Sequence, residues 1–242
     1  MRKAMATRRV QRALLKIDGR AVAVTMRLNP RARRLIVKVH PSTGEVTVVA
    51  PSRRGLDRAL DFARGEAPWI ARQLARVPKP IALVPGAYVP FLGREHAIVK
   101  VERGTVSRDA DSATIQVGGR AEHVQRRVID FLKREARRLF DERSNDFASR
   151  IDANVKRVTV RDTASRWGSC STSKTISYSW RLIMAPPFVL DYLAAHEVAH
   201  LREMNHSRRF WRLVEALCPQ TRQARAWLNA EGAKLHAVGS HQ

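Results

Sequence analysis

The chain has 242 residues, is 44% hydrophobic, and carries 45 Lys+Arg against 22 Asp+Glu, a formal charge of +23. That length and apolar content suffice for a sizeable core in one large domain or two closely packed lobes, and they exclude a disordered tail. No apolar run approaches the roughly 20 residues of a membrane-spanning helix, and the opening MRKAMATRRVQRALLK lacks the apolar centre of about 7 to 15 residues found in a secretory signal. The expectation is a cytoplasmic protein with no membrane partner.

The excess charge is unevenly spread: residues 1–55 hold fourteen basic groups but only Asp18 and Glu45 as acids. Such a patch suits a polyanion, nucleotide or nucleic acid among them, or serves solubility alone, because charge by itself reads no sequence. Cys170 and Cys218 stand apart, with no CxxC pair, and read as reduced thiols.

In chain order, residues 12–50 read as short strands: RALLKID, GRAVAVTMRL, RRLIVKVH and EVTVVAP, punctuated by Gly19, Pro30 and Gly44. Val22, Val24 and Met26 alternate with polar residues, as do Leu35, Val37 and Val39, predicting an antiparallel β segment. Helical spacing follows at Leu56, Leu60, Phe62, Trp69, Ile70 and Leu74, with Pro68 starting a second helix or kinking the first. A strand pair, AYVPFLG and EHAIVKVE, comes next, and the turn-rich stretch 103–120 around ATIQV is the expected boundary between lobes. The domains expected are thus a basic β-rich lobe over 12–105, with helices near 54–77, and a second lobe over 120–235.

Val124, Val128, Phe131, Leu132, Leu139 and Phe140 mark a long amphipathic helix. Two strands, RVTVRD and TISYSWRLIM, then flank a Ser/Gly-rich loop, and alternation through Ile176, Tyr178, Trp180 and Leu182 predicts an edge strand buried on one face. Pro186 and Pro187 open a helix, FVLDYLAAHEVAHLREM, with Asp191 in its first turn. No internal repeat is apparent.

On that helix His196 and His200 stand four apart, so both rings leave one face a turn from each other, as two ligands of one ion must. Glu197 lies beside them, able to reach a bound water without being a ligand. This is the HExxH arrangement of zinc hydrolases. His206 would point roughly 120° away if the helix continued, so the helix must end between Leu201 and Asn205, with Asn205 suited to a left-handed reversal. A following helix capped by Ser207 would then pack Phe210, Trp211, Val214 and Leu217 on the core. The third ligand is His206 or, on the next helix, its carboxylate rival Glu215. The short loop favours His206, and three imidazoles leave a fourth zinc position open, as in catalytic sites.

In RWGSCS, Gly168 permits a tight turn, and Arg166, Ser169 and Arg181 are the candidate substrate-binding groups, either guanidinium being suited to a developing oxyanion. A turn with a buried Trp167 and an outward arginine accounts for the same residues. His40, His96, His123, His236 and His241 show no ligand spacing and read as solvated or locally hydrogen-bonded.

The run RWGSCSTSKTISYSWRLIMAPPFVLDYLAAHEVAHLREMNHSRRFW resembles the signature of the YgjP-like metal-dependent hydrolases, a family grouped with SprT-like and other short zincin metallopeptidases. The likeness is densest over Arg157 to Trp211 and extends over about 21–235, so that the two lobes form one continuous family domain. It implies an α+β fold in which a β-rich N-terminal lobe packs on a zincin-like, minigluzincin-type catalytic lobe with an HExxH active-site helix. It implies zinc held by His196, His200 and His206, with Glu197 as catalytic base. Ser179 stands where the family pattern has asparagine. The expected activity is hydrolysis of a peptide or protein substrate. The alternatives are nucleoside triphosphate pyrophosphatase activity, with Arg166, Arg181 and Arg202 on phosphates, and a basic nucleic-acid-associated zinc protein.

Overall fold

The computed structural model describes residues 10–163 and 166–239. Arg2, Lys3, Arg8, Arg9 and His241 therefore lie outside the described residues. Packing divides the mixed α+β chain into two compact units that meet in sequence at Pro78 and Lys79. The 103–120 stretch lies inside the second unit, where its strands are hydrogen-bonded into a sheet.

In the first unit, β1 (Val10–Ile17) and β2 (Arg20–Leu28) form a hairpin through Asp18 and Gly19 at φ 47° and 78°. Left-handed conformations at both central residues match the right-handed twist of the strands, which is why Asp-Gly serves there. β3 (Ile36–Val39) and β4 (Val46–Ala50) complete a sheet of order β1-β2-β4-β3. The segment is not wholly antiparallel, because β2 and β4 run parallel at its centre. Burial explains the choice: Val46, Val48 and Ala50 are fully buried and take the interior position, whereas β3 has no fully buried residue and forms an edge. Three short helices follow rather than one or two: α1 (Arg53–Asp57), α2 (Ala59–Gly65) and α3 (Ala67–Leu74). Ser52 Oγ caps α1 by accepting from Gly55 N, and Pro68 sits in the first turn of α3, where its missing N–H is harmless. Leu56, Ala59, Ala63 and Ile70 close the core over Val24, Met26 and Val48.

The second unit begins with β5 (Tyr88–Phe91), β6 (Arg94–Val101), β7 (Ser107–Asp109) and β8 (Thr114–Gly118), in the order β5-β6-β8-β7. This repeats the first sheet's topology, outer hairpins around a parallel central pair, although no repeat is legible in the residues. The long helix α4 (Val124–Ser149) buries all six of the apolar residues expected of it. β9 (Arg157–Arg161), β10 (Gly168–Cys170) and β11 (Thr175–Ser179) form a second sheet, β10-β11-β9.

Two expectations are corrected here. β11 is the central strand of its sheet, and the edge beside the histidines is β10. The strand also stops at Ser179, because Trp180 to Met184 are five consecutive buried residues. A strand with one buried face cannot hide consecutive side chains, and a 3-10 turn does. The chain continues as α5 (Pro187–Ala199), α6 (Arg208–Leu217) and α7 (Thr221–Ala237). Among the described residues no helix is long and apolar enough to cross a membrane.

Phe140 of α4 stacks on Tyr178 of β11 with centroids 4.0 Å apart, and Tyr178 and Ser144 join hydroxyls at 2.9 Å. The histidine-bearing half of the molecule is thereby tied to α4. Phe140→Ala is expected to lower the unfolding free energy by about 3–5 kcal/mol, measurable by chemical denaturation.

Candidate metal centre

The site is built at the end of α5. Pro187 starts this helix, whose residues from Val189 to Ala199 are mostly buried, so its position is set by packing on several sides. Asp191 lies past the first turn and pairs with Arg143 of α4 at 2.5 Å. Regular helix ends at Ala199 with His200 as its cap, slightly earlier than expected. Glu203 N still reaches Ala199 O at 3.0 Å. The reversal does not use a left-handed Asn205, which has no positive φ. It is tied instead by His200, whose Nδ1 donates to Glu203 O at 3.0 Å. Ser207 Oγ then accepts from Phe210 N and starts α6. The chain has turned back, and His206 faces the two helical histidines.

The three rings form a triangle, with centroids 5.2, 5.1 and 4.9 Å apart. One potential ligand atom from each lies within 4.8 Å of the others. His196 Nε2 and His206 Nε2 are 3.2 Å apart, close to the edge, about 3.3 Å, of a tetrahedron with zinc–nitrogen bonds of about 2.0–2.1 Å. Because the carbonyl of Glu203 can only accept, His200 Nδ1 carries the proton and its Nε2 keeps a lone pair for an ion. Fully buried Phe210 packs against all three rings at 4.5 to 4.9 Å. Burial, then the neighbouring rings, holds His196 down to a pKa of about 4, and burial lowers His200 as well. Both rings are therefore neutral at physiological pH, the form that coordinates.

Glu197 occupies the same cavity, about 260 Å³ in volume, with the three histidines, Gly168, Ser169, Cys170 and Met204. The glutamate residue is 3% exposed, and burial lifts its pKa to about 8 against the opposing charge of Arg166. Glu197 Oε2 and His196 Nδ1 are buried and, among the described residues, have no hydrogen-bond partner. A donor set of three imidazoles beside unpartnered polar atoms fits a cation and a solvent molecule better than a closed protein core.

Gly168 has a different role from the one its turn-forming capacity implies. It lies inside β10, paired with Tyr178, and a Cβ there would come within 2.8 Å of Glu197 Cγ and Cδ. Glycine is what lets the edge strand close over the carboxylate. The same logic places Gly232 in α7, where it admits Trp167, whose ring lies tilted against His236 with centroids 4.7 Å apart.

A family model described as YgjP-like, metallopeptidase domain, matches residues 33–231. The chain belongs to the YgjP-like family. At that coarse level it is a metal-dependent peptidase. The search of curated proteins finds no match. Among solved structures, the crystal structure of the metallopeptidase zymogen of Pyrococcus abyssi abylysin is 20% identical, with a TM-score of 0.34, and the match covers 37% of this chain and 93% of that one.

The remaining expected residues of this YgjP-like chain separate into two groups. Ser169 lines the histidine cavity, and Arg166 is near enough to Glu197 to act on its ionisation. Arg181 does not face the site. It is 6% exposed, pairs with Asp162 at 2.8 and 3.1 Å, and donates to the carbonyls of Leu235 and Val238, capping the end of α7. Arg202 likewise bonds the carbonyls of Ile151 and Asp152. Glu215 is exposed on α6 and outside the histidine cluster. Burial, with the charge of Glu197 nearby, raises the Cys170 thiol to about 11, against a nucleophilic thiolate. His96, expected to be solvated or locally bonded, is buried with Nδ1 on Arg94 O.

Because alanine at position 168 would collide with the Glu197 side chain, Gly168→Ala should reduce turnover at least tenfold while leaving metal stoichiometry intact. Parallel measurement of kcat and bound metal checks this.

Proposed function

We propose that this chain is a zinc-dependent metallopeptidase of zincin type, with α5 as its HExxH helix, acting on an extended peptide laid along β10. The observation that carries the reading is the convergence of His196, His200 and His206 on one point, with the buried Glu197 carboxyl in the same cavity. Three imidazoles at this spacing suit zinc with one position open. Held by His196, His200 and His206, the ion would supply Lewis acidity towards a carbonyl oxygen and a water molecule. Glu197 accepts the proton from that water and delivers it to the leaving amine. Positive charge among the rings favours ionised Glu197, countering the burial that otherwise protonates it. Arg166 acts in the same direction.

β10 is an edge strand whose outer backbone groups are available to an incoming strand, so pairing can hold a substrate across the site. The nucleotide reading is weaker, because Arg181 and Arg202, two of the three guanidiniums it assigns to phosphates, are spent on Asp162 and on backbone carbonyls. Charge alone carries the nucleic-acid reading, and charge by itself reads no sequence.

Glu197→Gln should retain zinc and lose about 10²- to 10⁴-fold in peptide turnover; cleavage at the full rate would overturn the assigned base. Zinc analysis of His206→Ala and Glu215→Ala tests the ligand set, with stoichiometric metal lost only from the first.

A further inference from the structure

A second cavity, of about 400 Å³, shares Gly168, Ser169 and Cys170 with the histidine cavity and extends over the opposite face of the β9–β11 sheet. Register explains its chemistry. Thr159, Ser177 and Ser169 lie in one row across β9, β11 and β10, while Val158, Ile176 and Cys170 form the adjacent row on the other face. The cavity is lined by hydroxyls and by the guanidiniums of Arg161 and Arg166, and none of its described lining residues is acidic. Both arginines are exposed, and among the described residues neither pairs with a carboxylate. Asp162, next to Arg161 in sequence, is held by Arg181. Two guanidiniums without a direct ion pair, above a floor of hydroxyl groups, are complementary to an anion with several acceptor oxygens.

We propose that Arg161 and Arg166 form a specificity subsite for an aspartate or glutamate side chain of the substrate, which rests on the peptidase reading above. A peptide paired with the β10 edge directs successive side chains to opposite faces. Those on one face approach the α5 histidines, and those on the other enter the hydroxyl-lined cavity. The subsite thus accepts an acidic residue at alternate substrate positions, and not at the positions between them. The covalent chemistry stays at Glu197 and the metal; Arg161 selects, and Arg166 selects while also favouring ionised Glu197.

The test uses the zinc-loaded full chain and a set of otherwise neutral peptides in which Glu or Gln is placed at each position in turn. Binding is read by fluorescence anisotropy with Glu197→Gln protein, and kcat/KM with the wild type, at fixed salt. The expected result is a Glu-over-Gln preference of about tenfold or more at one register and its alternate neighbours, falling towards unity when Arg161→Gln or Arg166→Gln is introduced. Equal preference at every position would mark diffuse attraction to the +23 chain and overturn the subsite, as would a preference indifferent to both substitutions. Cleavage of neutral peptides without acidic preference defeats the subsite alone. Absence of all cleavage with the binding pattern intact defeats the peptidase reading and keeps the subsite. Phosphoserine peptides and a nucleoside triphosphate form the remaining arm: stronger Arg161-dependent binding of either than of the Glu peptide would replace carboxylate with phosphate.

Discussion

The tight reversal after α5 is the constraint on which the rest of the site depends. A helix can present His196 and His200 together, but it cannot present His206 beside them, and the third ring arrives only because the chain folds back within a few residues. Local hydrogen bonds set that geometry. Ala199 O and Glu203 O receive the bonds that end the helix and orient His200, and Ser207 starts the next helix immediately. Phe210 then packs against all three rings, so the packing that stabilises α6 also fixes the imidazoles. Three imidazoles held in this way by core packing would need little rearrangement to meet an ion, as the proposed metal role requires.

Much of this was legible in the residues because it depends on period and spacing. The four-residue step from His196 to His200, the Ser207 cap, and the apolar face from Val124 to Phe140 are all local patterns that a helix reads directly. What escaped depends on partners distant in the chain. The alternation through Leu182 mimicked a strand until burial on every side forced a 3-10 turn, and nothing local distinguishes an edge strand from a central one. Arg181 stood close to the site in sequence, yet the free carbonyls at the end of α7, more than fifty residues on, claimed its guanidinium. The parallel pairing of β2 with β4 is equally non-local. Gly168 looked like a turn residue, since glycine signals both conformational freedom and missing volume, and only the facing Glu197 reveals which applies.

Glu197 and His196 also show how such a site strains the fold around it. Burial raises the glutamate to about 8 from 4.5 and depresses the histidine to about 4 from 6.5. The folded state therefore binds more protons than the unfolded state at Glu197 between those pKa values, and this contribution to stability is lost as pH rises from 4.5 through 8. At His196 the unfolded state binds more, so stability is lost as pH falls from 6.5 through 4. The metal-free fold is thus opposed from both directions by two adjacent residues of one helix. A cation beside the rings relieves both tendencies together, since it excludes the proton from the imidazole and favours the ionised carboxylate. Two adjacent groups with opposite penalties that one cation would remove accord with the metal role proposed for this helix.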